Sequence, residues 1–175
     1  MTEDKETESG GVPGWARPLI GKHPGMTLIR AVLFVALAVG IYKFAVTPIK
    51  VFGVSMEPTY KQGKVLLVNK LAYRSQGPQR SDIVVIRMAG GSVVIIKRVI
   101  GLPGETISIS RGQVHIDGEP LEEPYTGKRN ETWNYGPKQL GDDQYFVIGD
   151  NRTTHIEKQE FGLTTRKNIM GRVIE

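Results

Sequence analysis

The sequence predicts a mainly β protein that carries one N-terminal apolar helix, and three observations lead there. Only one long segment of the 175 residues reads as helix. The 21 glycines and 10 prolines supply many turns. Between those turns recur short runs rich in Val and Ile, such as Lys64–Asn69, Asp82–Arg87 and Ser92–Ile100. The length accommodates one domain and a short accessory segment.

The chain divides into three parts. Residues 1–25 are polar, acidic early (Glu3, Asp4, Glu6, Glu8) and basic later (Arg17, Lys22), with Gly and Pro interruptions that argue against regular structure. A disordered cytoplasmic tail is expected. Residues 26–46 hold a 12-residue uncharged core, Ala31–Tyr42, bracketed by Arg30 and Lys43. Those two side chains can reach the interfaces, which brings the span to about 20 residues, the length a bilayer requires. A buried soluble helix and a cleaved signal peptide are the competing readings. The late start and the lack of a clear small-x-small cleavage site favour a retained anchor. Arg17, Lys22 and Arg30 favour a cytoplasmic N-terminus, while Lys43, Lys50, Lys61 and Lys64 blur the asymmetry.

Residues 47–175 form the β-rich body. Strands are expected at Thr47–Phe52, at the three runs above, and at Thr106–Ser110, Gln113–Ile116 and Tyr145–Ile148. Gly90-Gly91 and Arg111-Gly112 read as hairpin turns, and Gly77-Pro78 as loop. Residues 118–144, which include Trp133 and Tyr135, read as a long irregular excursion.

Composition narrows the function. A net charge of +5 is a solvated basic surface or an attraction to anionic lipid. The basic residues are scattered and no nucleic-acid recognition motif appears, so no nucleic-acid partner is expected. There are no cysteines, which excludes disulfides and thiolate chemistry. His23, His115 and His155 lie far apart, and Asp142, Asp143 and Asp150 have flanking glycines that suit turns, so neither a metal nor a cofactor is expected.

Chemistry concentrates in Gly53-Val54-Ser55-Met56-Glu57-Pro58-Thr59, directly after the anchor and β-like Thr47–Phe52. Glycine reaches dihedrals that other residues avoid, and proline fixes φ. Such a turn can hold one hydroxyl rigidly and aim its backbone N–H groups, as a nucleophile and an oxyanion site require. Lys97 follows 42 residues later, inside Val93–Ile100. By strand alternation it shares a face with Val93, Ile95 and Val99. It is either a lysine snorkelling at a sheet edge or one held in a dry site, where burial favours the neutral amine. A neutral amine can take the serine proton and pass it to a leaving amine. Arg98 stays protonated and reads as an ion-pair partner.

From the anchor nearly to the C-terminus the chain resembles the bacterial type I signal peptidases, membrane-anchored serine proteases with a Ser–Lys dyad. The matching segments are GVSMEPT at 53–59, VLLVNKLAY at 65–73, DIVV at 82–85 and KRVIGLPGE at 97–105. GEPLEEPY at 118–125, YFVIGDNR at 145–152, Phe161-Gly162 and Gly171-Arg172-Val173 follow in order. The resemblance implies a body of coiled antiparallel β-sheets on the extracytoplasmic side of the bacterial cytoplasmic membrane. It implies Ser55 as nucleophile and backbone oxyanion donor, Lys97 as general base, and an acyl-enzyme route. Signal-peptide-bearing pre-proteins are the implied substrates, and membrane lipid the implied surroundings. Some members add an oxyanion hydroxyl where this chain has Gly53. The family's preference for small residues at the cut needs shallow apolar pockets; Ile49, Val51, Ile95 and Ile96 either line them or fill the core.

The chain departs from the family after Arg152. Positions where the family places Ser, Asp, Ser and Arg hold His155, Glu157, Lys158 and Gln159. The family serine helps hold the catalytic lysine. Here His155, Thr153 or Thr154 are the candidates to support Lys97, or His155 is a surface residue. That divergent loop motivates a second reading, a catalytically weak or inactive membrane-tethered protein that binds pre-proteins or a secretion partner. A self-cleaving Ser–Lys repressor is a third, but it needs a DNA-binding segment where this chain has its apolar helix.

Overall fold

The computed structural model describes residues 24–88, 93–153 and 162–174. Among the described residues there is one α-helix, α1, which spans Pro24–Ala45. Proline is tolerated in a first helical turn because its missing N–H has no partner there. The helix shows apolar side chains on every side, among them Leu28, Val32, Phe34, Leu37 and Phe44, all exposed. A helix apolar all round belongs in a protein core or in lipid. Its stretch Gly25–Ala45 is long and apolar enough to cross a membrane. At 1.5 Å per residue, 22 residues rise about 33 Å, against a hydrocarbon core of about 30 Å. Val46, expected at the end of the anchor, instead opens the first strand.

The body begins as the helix ends. Eleven strands follow among the described residues: β1 (Val46–Lys50), β2 (Val65–Asn69), β3 (Ile83–Arg87), β4 (Val94–Gly101), β5 (Thr106–Ser110), β6 (Gln113–Ile116), β7 (Glu119–Pro120), β8 (Tyr135–Gln139), β9 (Gln144–Ile148), β10 (Gly162–Thr165) and β11 (Ile169–Ile174). Seven form one sheet in the order β1-β2-β11-β3-β4-β9-β10, and four form another, β7-β6-β5-β8. Every pairing is antiparallel. The mainly β, antiparallel class expected from the sequence is the one found.

Three apolar clusters hold the sheets. Val51, Met56, Tyr60, Leu66, Val68, Ile83, Val85 and Val173 form the first, beneath the serine turn. Tyr73, Val84, Ile86, Val99, Tyr145, Val147 and Ile169 form another around β3, β4 and β9. The last packs the smaller sheet around Trp133, Ile107, Phe146 and Ile148. Trp133 lies in the stretch 118–144 that the sequence presents as an irregular excursion. That expectation is corrected: the stretch supplies β7 and β8, and β8 pairs with β5 to complete the smaller sheet.

Other boundaries shift by one or two residues. β1 stops at Lys50 because Val51 N–H turns to the Lys64 carbonyl (2.8 Å), closing the base of the serine loop. The Gly90-Gly91 turn lies outside the described residues. Arg111 and Gly112, with φ 47° and 73°, make the tight connection between β5 and β6 that their sequence announces. β10 and β11 have no counterpart among the expected strands. In β11, Gly171 lies so close to β2 that a Cβ there would run into the Asn69 carbonyl.

Candidate active site

The loop 51–64 carries Ser55. Gly63 N–H donates to the Val51 carbonyl (2.9 Å), so the loop is tied at its base on both sides. Gly53 has φ 82°, the left-handed region that side chains disfavour, with open space around it; the backbone conformation, not crowding, calls for glycine. Within the turn, Glu57 N–H donates to Val54 (3.1 Å) and Tyr60 N–H to Met56 (2.9 Å). Met56 is 1% exposed and plugs the turn into the first cluster, leaving Ser55 half-buried above it.

Ser55 opens on a cavity of about 270 Å³ whose other walls are Ile49, Lys50, Val51, Phe52, Met56, Val94, Ile95 and Ile96. All four residues expected to shape a small-side-chain pocket are in that wall. Ile49 comes from β1, Val51 from the base of the serine loop, and Ile95 and Ile96 from β4, which is not a neighbour of β1 in the sheet. A larger hollow, about 640 Å³, is lined by Asn69, Ser81, Asp82, Arg98 and Arg172 among others. Its charged groups are engaged in ion pairs, Arg172 with Asp82 and Arg98 with Asp150.

Lys97 is 2% exposed and lies opposite Val84 on the interior strand β4, between β3 and β9. Edge snorkelling is therefore not its role. Ile95, Val84 and Val99, which alternation places on its face, belong to one apolar cluster. Ile96, on the alternate face, packs with Met56 in the cluster below the serine turn. β4 thus links the two residues: its positions 95 and 96 wall the Ser55 cavity and position 97 is the buried lysine.

A second turn, Gly149–Arg152, is built against the serine loop. Asn151 N–H donates to the Ser55 carbonyl (3.0 Å), and its Nδ2 to the Val54 carbonyl (3.1 Å). Asp150 is fully buried and accepts from Thr59 Oγ1 (2.5 Å), Arg98 Nε (2.8 Å) and Arg98 Nη2 (2.6 Å). The ion-pair reading of Arg98 is thereby met. Its guanidinium also lies over the Tyr125 ring, 3.8 Å from the centroid. Burial, and then the neighbouring Glu123 carboxylate, push the Tyr125 hydroxyl well above its ordinary range.

Of the residues considered as support for Lys97, Thr153 donates its hydroxyl to Asn151 Oδ1 (2.7 Å). Thr154 and His155 lie outside the described residues. Asp143 accepts from Arg166 N–H (3.3 Å), and Asp150 is the Arg98 partner. Among the described residues no group of three His, Asp or Glu could hold a metal ion. Sequence reasoning singled out neither Thr59, Asn151, Glu123 nor Tyr125. Their motifs were visible, but the pairing of residues 29 to 97 positions apart carries no local signal.

The described residues thus hold an apolar helix of membrane-spanning length, an antiparallel β body and a serine seated in a tied turn beside a small cavity. The chain belongs to the family "Signal peptidase, peptidase S26", whose model matches residues 26–175. It is 35% identical to the probable signal peptidase I-2 of Synechocystis sp. over 154 residues, 85% of this chain and 69% of that one. It is 36% identical to signal peptidase I V of Bacillus subtilis over 157 residues, 82% of this chain and 92% of that one. Among solved structures, a signal peptidase I from Enterococcus faecalis aligns with a TM-score of 0.46 at 27% identity, over 57% of this chain and 98% of that chain.

Proposed function

We propose that this chain removes N-terminal signal peptides from exported pre-proteins, with Ser55 as nucleophile and Lys97 as general base. The observation that carries the reading is the cavity that joins Ser55 to Ile49, Val51, Ile95 and Ile96 in a member of the signal peptidase family. A cavity of about 270 Å³ shared by two subsites suits small side chains and excludes bulky ones.

The chemistry follows from the groups present. Neutral Lys97 Nζ takes the Ser55 proton as Oγ adds to the scissile carbonyl, and the backbone N–H of Ser55 meets the oxyanion. Lys97 then delivers the proton to the departing amine, which is the new N-terminus of the mature protein. The signal peptide remains as an ester on Ser55. Water, deprotonated by Lys97, hydrolyses that ester and restores both residues. Lys97 is buried on β4, with Val84 opposite it on β3 and Ile95 and Val99 at the alternate positions of its own strand.

Residues 26–46 serve as a single-pass anchor in membrane lipid, with 1–25 in the cytoplasm and 47–175 outside it, where exported substrates emerge. Arg17, Lys22 and Arg30 support that orientation.

The test is cleavage of a pre-protein with small residues at the first and third positions before the cut, in detergent micelles. Wild type should cleave, and Ser55→Ala and Lys97→Met should each lose nearly all turnover. A folded Ser55→Ala protein that cleaves at the wild-type rate would end this reading.

A further inference from the structure

Glu123 is a buried carboxylate far in sequence from the serine, yet a chain of contacts runs from it to the serine backbone. Its side chain is wholly inaccessible, and Arg152, its partner, is 1% exposed. Oε1 accepts from Arg152 Nη2 (2.5 Å) and from the Tyr125 hydroxyl (3.0 Å), and Oε2 accepts from Arg152 Nη1 (3.1 Å). Arg152 Nε donates to the carbonyl of Gly149 (2.8 Å), the first residue of its own turn. The guanidinium therefore spans the turn and is itself held by the carboxylate. Inside that turn sits Asn151, which donates twice to the Val54–Ser55 backbone.

The other side of Glu123 leads to the same place. Tyr125, bound to Glu123, lies against Arg98, and Arg98 holds Asp150 in a two-pronged pair. Asn130 N–H, from the same long segment, donates to the Arg152 carbonyl (2.8 Å). No surface role explains a charge buried this completely; such a group persists only when its partners fix it. It also stands where this chain needs a brace. The family's Asp and Arg after the Gly-Asp-Asn-Arg motif are replaced here by Glu157 and Gln159.

We propose that Glu123 is a positioning residue for the serine: it fixes Arg152, Arg152 fixes the Gly149–Arg152 turn, and Asn151 in that turn fixes the Val54–Ser55 backbone. This rests on the assignment of Ser55 as nucleophile. Substrate fills the cavity of β1 and β4, which Glu123 does not line. Loosening the brace therefore degrades the attack geometry while leaving substrate binding nearly intact. A displacement of about 1 Å at a reacting atom can lower the rate by about a hundredfold.

The test is a kinetic cycle on the full chain in micelles, using Glu123→Gln, Asn151→Ala and the double variant, with Ser55→Ala alongside. Glu123→Gln should lower kcat by about tenfold or more with KM within about threefold. In the Asn151→Ala background the same change should add little, because the route to Ser55 is already cut. Glu123→Asp, which keeps the charge, should recover much of the loss; if the glutamine variant does not fold, Arg152→Lys, which removes the two-pronged contact with Glu123 and the Nε bond to Gly149, takes its place in the cycle. Full additivity of the two changes, or a loss confined to KM, would overturn the proposal while leaving the nucleophile assignment in place. Turnover by Ser55→Ala would instead strike the assignment itself.

Discussion

Asp150→Asn isolates the electrostatic cost of the pair that ties the serine loop to β4. The carboxylate is fully buried and Arg98 is 7% exposed, so water screens the pair poorly. Asparagine keeps the shape and one acceptor oxygen but removes the charge, and its amide N–H groups face the guanidinium. Breaking one member of such a pair costs about 3–5 kcal/mol, because the other charge stays buried. The retained acceptor puts the expected loss near the lower end, about 3 kcal/mol. A domain's whole stability is about 5–15 kcal/mol, so this is a large share. With a urea m-value of about 2 kcal/mol/M the unfolding midpoint should fall by about 1.5 M. The assay is urea unfolding in detergent followed by tryptophan fluorescence, Trp133 being buried in the smaller sheet's core. Adding Arg98→Met removes the stranded cation and should restore at least half of the loss. A single variant within 1 kcal/mol of wild type, or a double variant losing the full sum, would refute the reasoning.

Further outcomes follow from other parts of the molecule. Tyr73 and Tyr125 both have hydroxyls raised above their ordinary value, first by burial and then by their carboxylate neighbours, with Asp82 accepting from Tyr73 (2.8 Å). The folded state therefore holds these protons more tightly than the unfolded chain. Their contribution is fully present below about pH 10 and is lost as pH rises beyond it, so the unfolding midpoint should drop in that range. Tyr73→Phe and Tyr125→Phe should flatten the drop. Ile95→Ala enlarges the cavity beside Ser55 and should raise cleavage before a larger residue, relative to alanine, by about tenfold or more, read as a ratio of kcat/KM values. Gly171→Ala drives a methyl into the Asn69 carbonyl between β11 and β2, and should cost about 1–3 kcal/mol in the same urea assay.

Much of this architecture is written locally. β5 and β6 match their expected bounds because each alternates cleanly and an Arg-Gly turn joins them. The anchor is visible because no charged side chain interrupts the span from Ala31 to Tyr42. The serine turn was legible because glycine and proline frame it; Ile49, Val51, Ile95 and Ile96 both wall the cavity and pack with the core clusters, the two readings their sequence left open. What escaped depends on distant partners. β8 reads Tyr-Gly-Pro-Lys-Gln, with no apolar alternation, and is a strand only because β5 offers it an edge. β11 contains a glycine that pattern rules count against a strand, yet contact with β2 requires that residue. Glu123 looks like one more surface acid until Arg152, 29 residues on, folds against it.

In the proposed route, cleavage passes through an ester on Ser55 formed with Lys97 as base. Adding hydroxylamine during turnover of a pre-protein tests it most directly, because an acyl-enzyme partitions between water and the added nucleophile. The expected result is a signal peptide ending in a hydroxamate, detected by mass spectrometry and lost in both Ser55→Ala and Lys97→Met. Brisk hydrolysis with no hydroxamate, or hydroxamate formed by Ser55→Ala, would contradict the account.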